Sequence, residues 1–321
     1  MTTYRNVQVI INPASGNDEP MLNILNDVLG RHDIPWDARV THGPGDATAL
    51  TRAAIDAGCD LIVSYGGDGT VMEVVNGMIG SDVPLAILPG GTANAAAMEL
   101  GIPVALREAI EIICESSTRR KLDVGRAGDH YFLLRAYTGI PDEYTAPREL
   151  KDRFGLLAYP LSALRLLREQ PITHFRIEVD DQVIEQEGLL CFVNNIAYAK
   201  TPRLQNWVER FFLDVRAHDG GDAVAVPEPV LHTIDPSDGL LDVLLLVPET
   251  LTLTSLATAL VRADETVARA HLFQGKRIRL ETDPPQSVGI DGELLGDTPV
   301  TIEVVPHAIE VVVPNAPRGK E

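Results

Sequence analysis

Short apolar runs alternate with stripes of apolar residues at three- and four-residue spacing through roughly the first 125 residues. The run VQVIIN (7–12) is almost continuously apolar, the pattern of a strand buried on both faces. Met21, Ile24, Leu25, Val28 and Leu29 then follow the helical template. WDARVT (36–41) predicts a second strand, Asp46 to Ala57 a second helix ended by Gly58, and DLIVSY (60–65) a third strand. Val71, Val74, Val75, Met78 and Ile79 repeat the helical stripe, and PLAILP (84–89) gives the next strand. Leu106, Ala109, Ile110, Ile113 and Cys114 form one more stripe. Strands separated by helices of this length predict a parallel, doubly wound α/β sheet.

From about residue 127 the period changes to two. Phe175, Ile177 and Val179 alternate with Arg176, Glu178 and Asp180, with a hairpin turn expected at Asp181-Gln182. Ile278 and Leu280 alternate with charged neighbours, as do Val300, Ile302 and Val304 with Thr301 and Glu303. One wet face predicts antiparallel sheet, so the second domain is expected to be mainly β. Two helices are expected to interrupt it, around Leu156 to Arg168 and around Leu251 to Leu272, the latter carrying His271. Residues 199–230, with Pro202, Pro227, Pro229 and Gly220-Gly221, predict a long loop or insertion.

A chain of 321 residues is long enough for two cores. The net charge of −19 excludes a nucleic-acid binder, since no basic stripe can collect phosphates. It also disfavours general adhesion to anionic membranes. Cys59, Cys114 and Cys191 have no metal or redox spacing and are expected to be buried, reduced thiols. The eight histidines form no ligand cluster, so no zinc is expected. The absence of a leader or a long apolar run predicts a cytoplasmic protein.

The candidate chemistry lies in VSYGGDGTVMEVVNG (63–77). Gly66, Gly67 and Gly69 flank Asp68 where a strand turns into a helix, and Thr70 follows at once. Such a turn directs backbone N–H groups and the positive helix end at one point, which suits an anion, above all a phosphate. PGGTANA (89–95) repeats the design after the next strand. Two such turns at neighbouring strand ends are suited to a triphosphate. No Walker motif is present, and no G-x-G-x-x-G follows the first strand. An acid beside a phosphate needs a magnesium ion or a proton between them, so Asp68 points to phosphoryl transfer rather than to capping alone.

NPASGN (12–17), THGPGDA (41–47), GGDGTVMEVVNG (66–77) and LPGGTANAAAMELGIP (88–103), in that order, closely resemble the diacylglycerol kinase catalytic-domain family. The resemblance continues with KLDVGR (121–126), DPSDGLLDVLLL (235–246) and IDGELL (290–295). It implies an α/β ATP-binding domain over residues 1–126 and a β-sandwich lipid domain over 127–305. The final segment, 306–321, is expected to return to the first domain through AIEVVVP (308–314). The implied activity is ATP- and Mg2+-dependent transfer of a γ-phosphate to a lipid hydroxyl, such as diacylglycerol or a sphingoid base.

The resemblance also assigns roles. Asn12, Thr41, Gly66, Gly67, Asp68, Gly69, Thr70, Gly91, Thr92 and Asn94 would contact or support ATP. Asp123 would join the metal–water network. Glu293 or Asp291 would accept the alcohol proton, and the sequence does not choose between them. Asp238, with the backbone of Asp235 and Leu240, would form a structural Mg2+ site. Each acid has a plain alternative: a turn residue for Asp123, a hairpin for the Asp291-Gly292 pair, a β-turn for 235–240. Arg148, Lys151, Arg153, Arg165 and Arg168 form the most cationic stretch and are expected to meet a bilayer transiently. A homodimer through edge strands of the β domain is the remaining partner expectation. The chain departs from the family at Ala95, at 96–98, at Met72 and over 135–145, which leaves the nucleotide loops intact and alters the acceptor side. Two other readings stand beside the lipid kinase: a non-catalytic relative that senses nucleotide or lipid, and an NAD-type kinase.

Overall fold

The computed structural model describes residues 4–16, 19–139, 172–196, 215–217, 234–247 and 269–315. These divide into two compact units. Unit 1 draws on Met1–Val124, Pro236–Asp238 and Val305–Glu321, and unit 2 on Gly125–Asp235 and Gly239–Val304.

In unit 1, strands β1 (Val7–Ile11), β2 (Trp36–Val40), β3 (Leu61–Gly66) and β4 (Leu85–Pro89) alternate with helices α1 (Met21–Arg31), α2 (Asp46–Asp56), α3 (Asp68–Met78), α4 (Ala95–Glu99) and α5 (Leu106–Glu115). The strands lie in the parallel order β2-β1-β3-β4. β1, β3 and β4 are buried at every position, as continuous apolar runs require when helices cover both faces. α1 packs with α5, and α2 with α3. Of the stripe predicted for α1, Leu25, Val28 and Leu29 are buried and Met21 and Ile24 half-buried, while Leu106, Ala109, Ile110, Ile113 and Cys114 of α5 are all buried.

The chain continues through β5 (Arg119–Ala127), β6 (His130–Phe132), β7 (Arg135–Thr138), β8 (Thr173–Val179), β9 (Gln182–Gly188), β10 (Leu190–Asn194), β11 (Val215–Ala217) and β12 (Leu241–Val247). It ends with β13 (Arg269–Gly275), β14 (Arg277–Asp283), β15 (Ser287–Ile290), β16 (Glu293–Asp297) and β17 (Val300–Val312). In unit 2 one sheet has the order β11-β13-β12-β10-β7-β15-β16, and the other joins the first part of β17 to β14, β8 and β9. Alternate residues of both meet in one core: Phe175, Ile177, Ile278 and Leu280 from one sheet, Val193, Val243, Leu245 and Phe273 from the other. The fold class expected from the sequence, α/β followed by antiparallel β-sandwich, is the one observed.

Three local expectations need correction. His271 and Leu272 lie in β13, not in a helix, because that segment pairs along its length with β12 from Arg269 to Gly275. Ala270, His271, Leu272 and Phe273 alone fit either period; the sheet partner decides. The remainder of that expected helix, 251–268, lies outside the described residues, as do the expected helix at 156–168, the cationic residues 148–168 and most of 199–230. The β8–β9 turn is at Asp180-Asp181, one residue earlier than expected, since Val179 pairs with Gln182. Asp180 tolerates φ +49, and its carboxylate accepts the N–H groups of Lys276 and Arg277 at 3.1 and 2.9 Å. The apolar runs around 300–304 and 308–314, read as separate, belong to the single strand β17, which passes through His307 at φ +53.

Candidate active site

Because β2, β1, β3 and β4 run parallel and in register, their C-terminal ends share one edge of the unit 1 sheet. Ile11 pairs with Val40 and Tyr65, and Gly66 with Pro89. Thr41, Asn12, Gly67 and Gly90 leave that edge. The chain departs from β1 in both directions, the crevice where open α/β sheets bind ligands.

The loops are tied to one another. Asn12 donates from Nδ2 to Thr70 Oγ1 at 2.9 Å, while its Oδ1 accepts the N–H of Ala14 at 3.0 Å. Gly90 N–H donates to Gly66 O at 2.8 Å. A Cβ on Gly91 would lie 2.5 Å from the Gly67 Cα, so the two glycine turns touch backbone to backbone. Asn94, buried at φ +50, closes its own turn: Oδ1 accepts Gly91 N–H at 2.8 Å and Nδ2 donates to Gly91 O at 2.7 Å. Thr92 is exposed at the tip. Asp46 accepts the N–H groups of His42 and Gly43 at 2.7 and 3.0 Å, which shapes the loop after the buried Thr41.

α3 starts at Asp68 without a side-chain cap. The N–H of Val71 bonds to Gly67 O at 3.0 Å, so the N–H groups of Asp68, Gly69 and Thr70 have no helical acceptor. They mark the positive end of the helix, open at the shared edge. Asp68 turns one oxygen toward the start of α4, where Oδ1 accepts the N–H of Ala96 at 3.2 Å, and its other oxygen has no partner among the described residues. Asp68 thus does not cap α3, as the plain reading would have it; it ties this turn to the start of α4 through Ala96. Residues 12–16, 41–46, 66–70 and 89–95 contain no lysine or arginine. An anion there meets backbone N–H groups, hydroxyls and acids.

Asp123 is fully buried in β5, so it is not the turn residue of the plain reading. Its N–H donates to Pro236 O at 2.7 Å, and its Oδ1 accepts the His307 N–H at 2.7 Å. Asp235, Asp238 and Leu240 belong to the turn before β12, where Gly239 takes φ +76. Arg120 reaches the same turn, donating to Ser237 Oγ at 3.2 Å. Among the described residues, the three His or acid side chains close enough to share an ion are His32, Glu111 and Glu115, within 4.8 Å. Arg31 already neutralises Glu111 there at 2.9 Å.

In unit 2, Asp291 (φ +46) and Gly292 (φ +96) form a two-residue hairpin turn between β15 and β16, so the plain hairpin reading holds for the backbone. The Asp291 carboxylate accepts the N–H groups of Leu133 (2.8 Å), Leu134 (3.1 Å) and Arg135 (2.8 Å). Burial pushes its pKa up, and those three donors pull it back. Glu293 opens β16 opposite Ile290, is exposed, and makes no hydrogen bond or ion pair among the described residues. The sequence left these two acids equivalent, and their surroundings separate them. Further along the same hairpin, a cavity of about 400 Å³ is lined by Val288, Leu295, Pro299 and Val300.

Residues 6–127 match the diacylglycerol kinase catalytic domain, and residues 229–313 match the YegS C-terminal NAD kinase beta sandwich-like domain. The first part of the chain carries a diacylglycerol kinase catalytic domain. All four loops of the shared edge fall inside the first match, and the Asp291–Glu293 hairpin falls inside the second. The chain is 27% identical to a diacylglycerol kinase of Staphylococcus saprophyticus, over 99% of this chain and 98% of that one. It is 29% identical to a diacylglycerol kinase of Bacillus subtilis, over 97% of each. A solved structure of a diacylglycerol kinase from Bacillus anthracis str. Sterne shares the fold, at 23% identity, a TM-score of 0.67 and 98% coverage of both chains. This lipid-kinase kinship was legible in the ordered motifs. The main-chain role of His307 was not, since nothing in the sequence marks an N–H donor inside a strand.

Proposed function

We propose that this protein transfers the γ-phosphate of ATP to the hydroxyl of a lipid alcohol, with Mg2+ as its metal. The observation that carries the reading is the uncapped start of α3, its N–H groups open beside three tied loops at one sheet edge. In this reading unit 1 binds the nucleotide and unit 2 the lipid. Asn12 and Thr70 hold the first and third loops together, Gly67 and Gly91 permit backbone contact, and Thr41, Thr92 and Asn94 shape the rim.

The donor set suits a hard divalent ion: a carboxylate oxygen of Asp68 without a partner among the described residues, and no lysine or arginine in the loops to neutralise phosphate. When bound, Mg2+ supplies charge neutralisation for the polyphosphate and its leaving group. Asp68 is its candidate ligand, and Asp123 a candidate partner in the surrounding water network. Asp238, with the backbone of Asp235 and Leu240, remains the candidate for a separate structural ion. Glu293 is the better proton acceptor, because Asp291 is engaged by three backbone donors. A loose phosphoryl transition state needs the acceptor only late, so an exposed carboxylate suffices.

A second reading, an NAD-type kinase, is favoured by the name of the matching C-terminal domain. Incubation with γ-labelled ATP, Mg2+ and either a lipid extract or NAD separates the two. Label in an organic-phase lipid is expected; label in NADP alone would replace this reading, and label in neither would favour a non-catalytic binder. Peripheral membrane contact and a homodimer remain parts of the proposal, tested by vesicle sedimentation and light scattering.

A further inference from the structure

Tyr65 is the last residue but one of β3, next to the glycine turn, and its side chain has no function in the scheme above. The residue is only 6% exposed, its hydroxyl oxygen keeps solvent access, and among the described residues that hydroxyl makes no hydrogen bond. The ring lies beneath two of the four loops. A Cβ on Gly16 would fall 3.1 Å from Tyr65 Cζ and in contact with the hydroxyl oxygen, and one on Gly90 would fall 3.4 Å from Cε2. Gly16 is at φ +106 and donates its N–H to Gly90 O at 2.5 Å, so the loops meet over this phenol. The hydroxyl oxygen itself is not buried and stays open to a ligand, whereas phenylalanine would fill the same space without a donor.

We propose that the Tyr65 hydroxyl is a phosphate-contacting group of the nucleotide site, donating to a polyphosphate oxygen held between the Gly16 and Gly90 loops. The inference rests on the ATP reading above and adds a binding residue to it. Two facts support an O–H donor here. No lysine or arginine stands in the loops, so the donors that the loops themselves offer a phosphate are backbone N–H groups and hydroxyls. Burial also pushes the phenol pKa above its ordinary value, with Glu19 adding to the effect, so the oxygen keeps its proton. The sequence hid this role because tyrosine at the end of an apolar strand reads as packing.

Tyr65→Phe removes only the oxygen. Calorimetric titration of the wild type and the variant with Mg·ATP, inorganic tripolyphosphate and adenosine tests the assignment. ATP and tripolyphosphate are expected to bind about tenfold more weakly to the variant, as the loss of one phosphate hydrogen bond implies. Adenosine binding and the melting temperature without ligand should be unchanged. KM for ATP should rise more than kcat falls. ATP and tripolyphosphate affinities within twofold of wild type would overturn the inference while leaving the kinase reading intact. Equal weakening of adenosine, or a lowered melting temperature, would also overturn it by showing a structural role. If the wild type binds neither ATP nor tripolyphosphate, both proposals fall together.

Discussion

Asp291 and Arg135 are joined in both directions: Arg135 N–H donates to Asp291 Oδ1 at 2.8 Å, and Asp291 N–H donates to Arg135 O at 3.0 Å. With Leu133 and Leu134 also bound to the carboxylate, this acid fixes the backbone on which Glu293 stands two residues later. The pair therefore predicts opposite phenotypes for two neighbouring acids. Asp291→Asn turns an NH2 toward backbone N–H groups and should destabilise the protein by about 1–3 kcal/mol in urea melts. Glu293→Gln should leave stability within about 0.5 kcal/mol and lower kcat about 10²–10⁴-fold. The reverse pattern would make Asp291 the proton acceptor.

Gly91→Ala places a methyl 2.5 Å from the Gly67 Cα. Since both sides are backbone, neither can rotate away. A cost of about 1–3 kcal/mol is expected, with loss of detectable ATP binding by calorimetry. Gly69→Ala is the control, since nothing lies near its Cβ direction and stability should hardly change.

Asn12→Ala removes the bond to Thr70 and the acceptor for Ala14 N–H. Each is worth about 1 kcal/mol. Thermal melts should show a modest loss, whereas ATP affinity should fall more, because the first loop loses its link to α3. Equal effects on both would assign Asn12 to the fold alone.

Without lysine or arginine in the loops, ATP binding should depend on Mg2+ more steeply than in a site with a phosphate-binding lysine. Titration with ATP in EDTA is expected to give at least tenfold weaker binding than with Mg2+. Equal affinity in both would remove the metal from the proposal.

Cys59, Cys114 and Cys191 are all buried and unpaired. Burial pushes the Cys59 thiol up to about 11 and the Cys114 thiol up to about 12. Folded values above the unfolded ones mean that the stabilisation is complete below the ordinary thiol pKa and is lost as pH rises through the folded values. Native protein at pH 8 should therefore resist iodoacetamide, and denaturant should expose all three thiols to it.

The parallel sheet was legible because β1, β3 and β4 bury both faces, leaving runs that admit few other interpretations. The loops were legible because glycine has no substitute where Gly67 meets Gly91. The division of labour between Asp291 and Glu293 was not, since it depends on the backbone of Leu133 to Arg135, more than 150 residues away. Asp68 shows the same limit. Its bond to Ala96 needs two strand ends to be neighbours before it can exist. β13 was misread for a related reason, as its partner β12 lies outside any local window.

Unit 1 draws its parallel neighbour for β4 from the second half of β17, where Val311 pairs with Leu85. A ribosome therefore makes β4 long before the strand that pairs with it. The β4 edge waits without that strand while the sheets of unit 2 are being made. A fragment ending after residue 124 would keep the glycine turns of the shared edge yet lack the strand that closes its sheet.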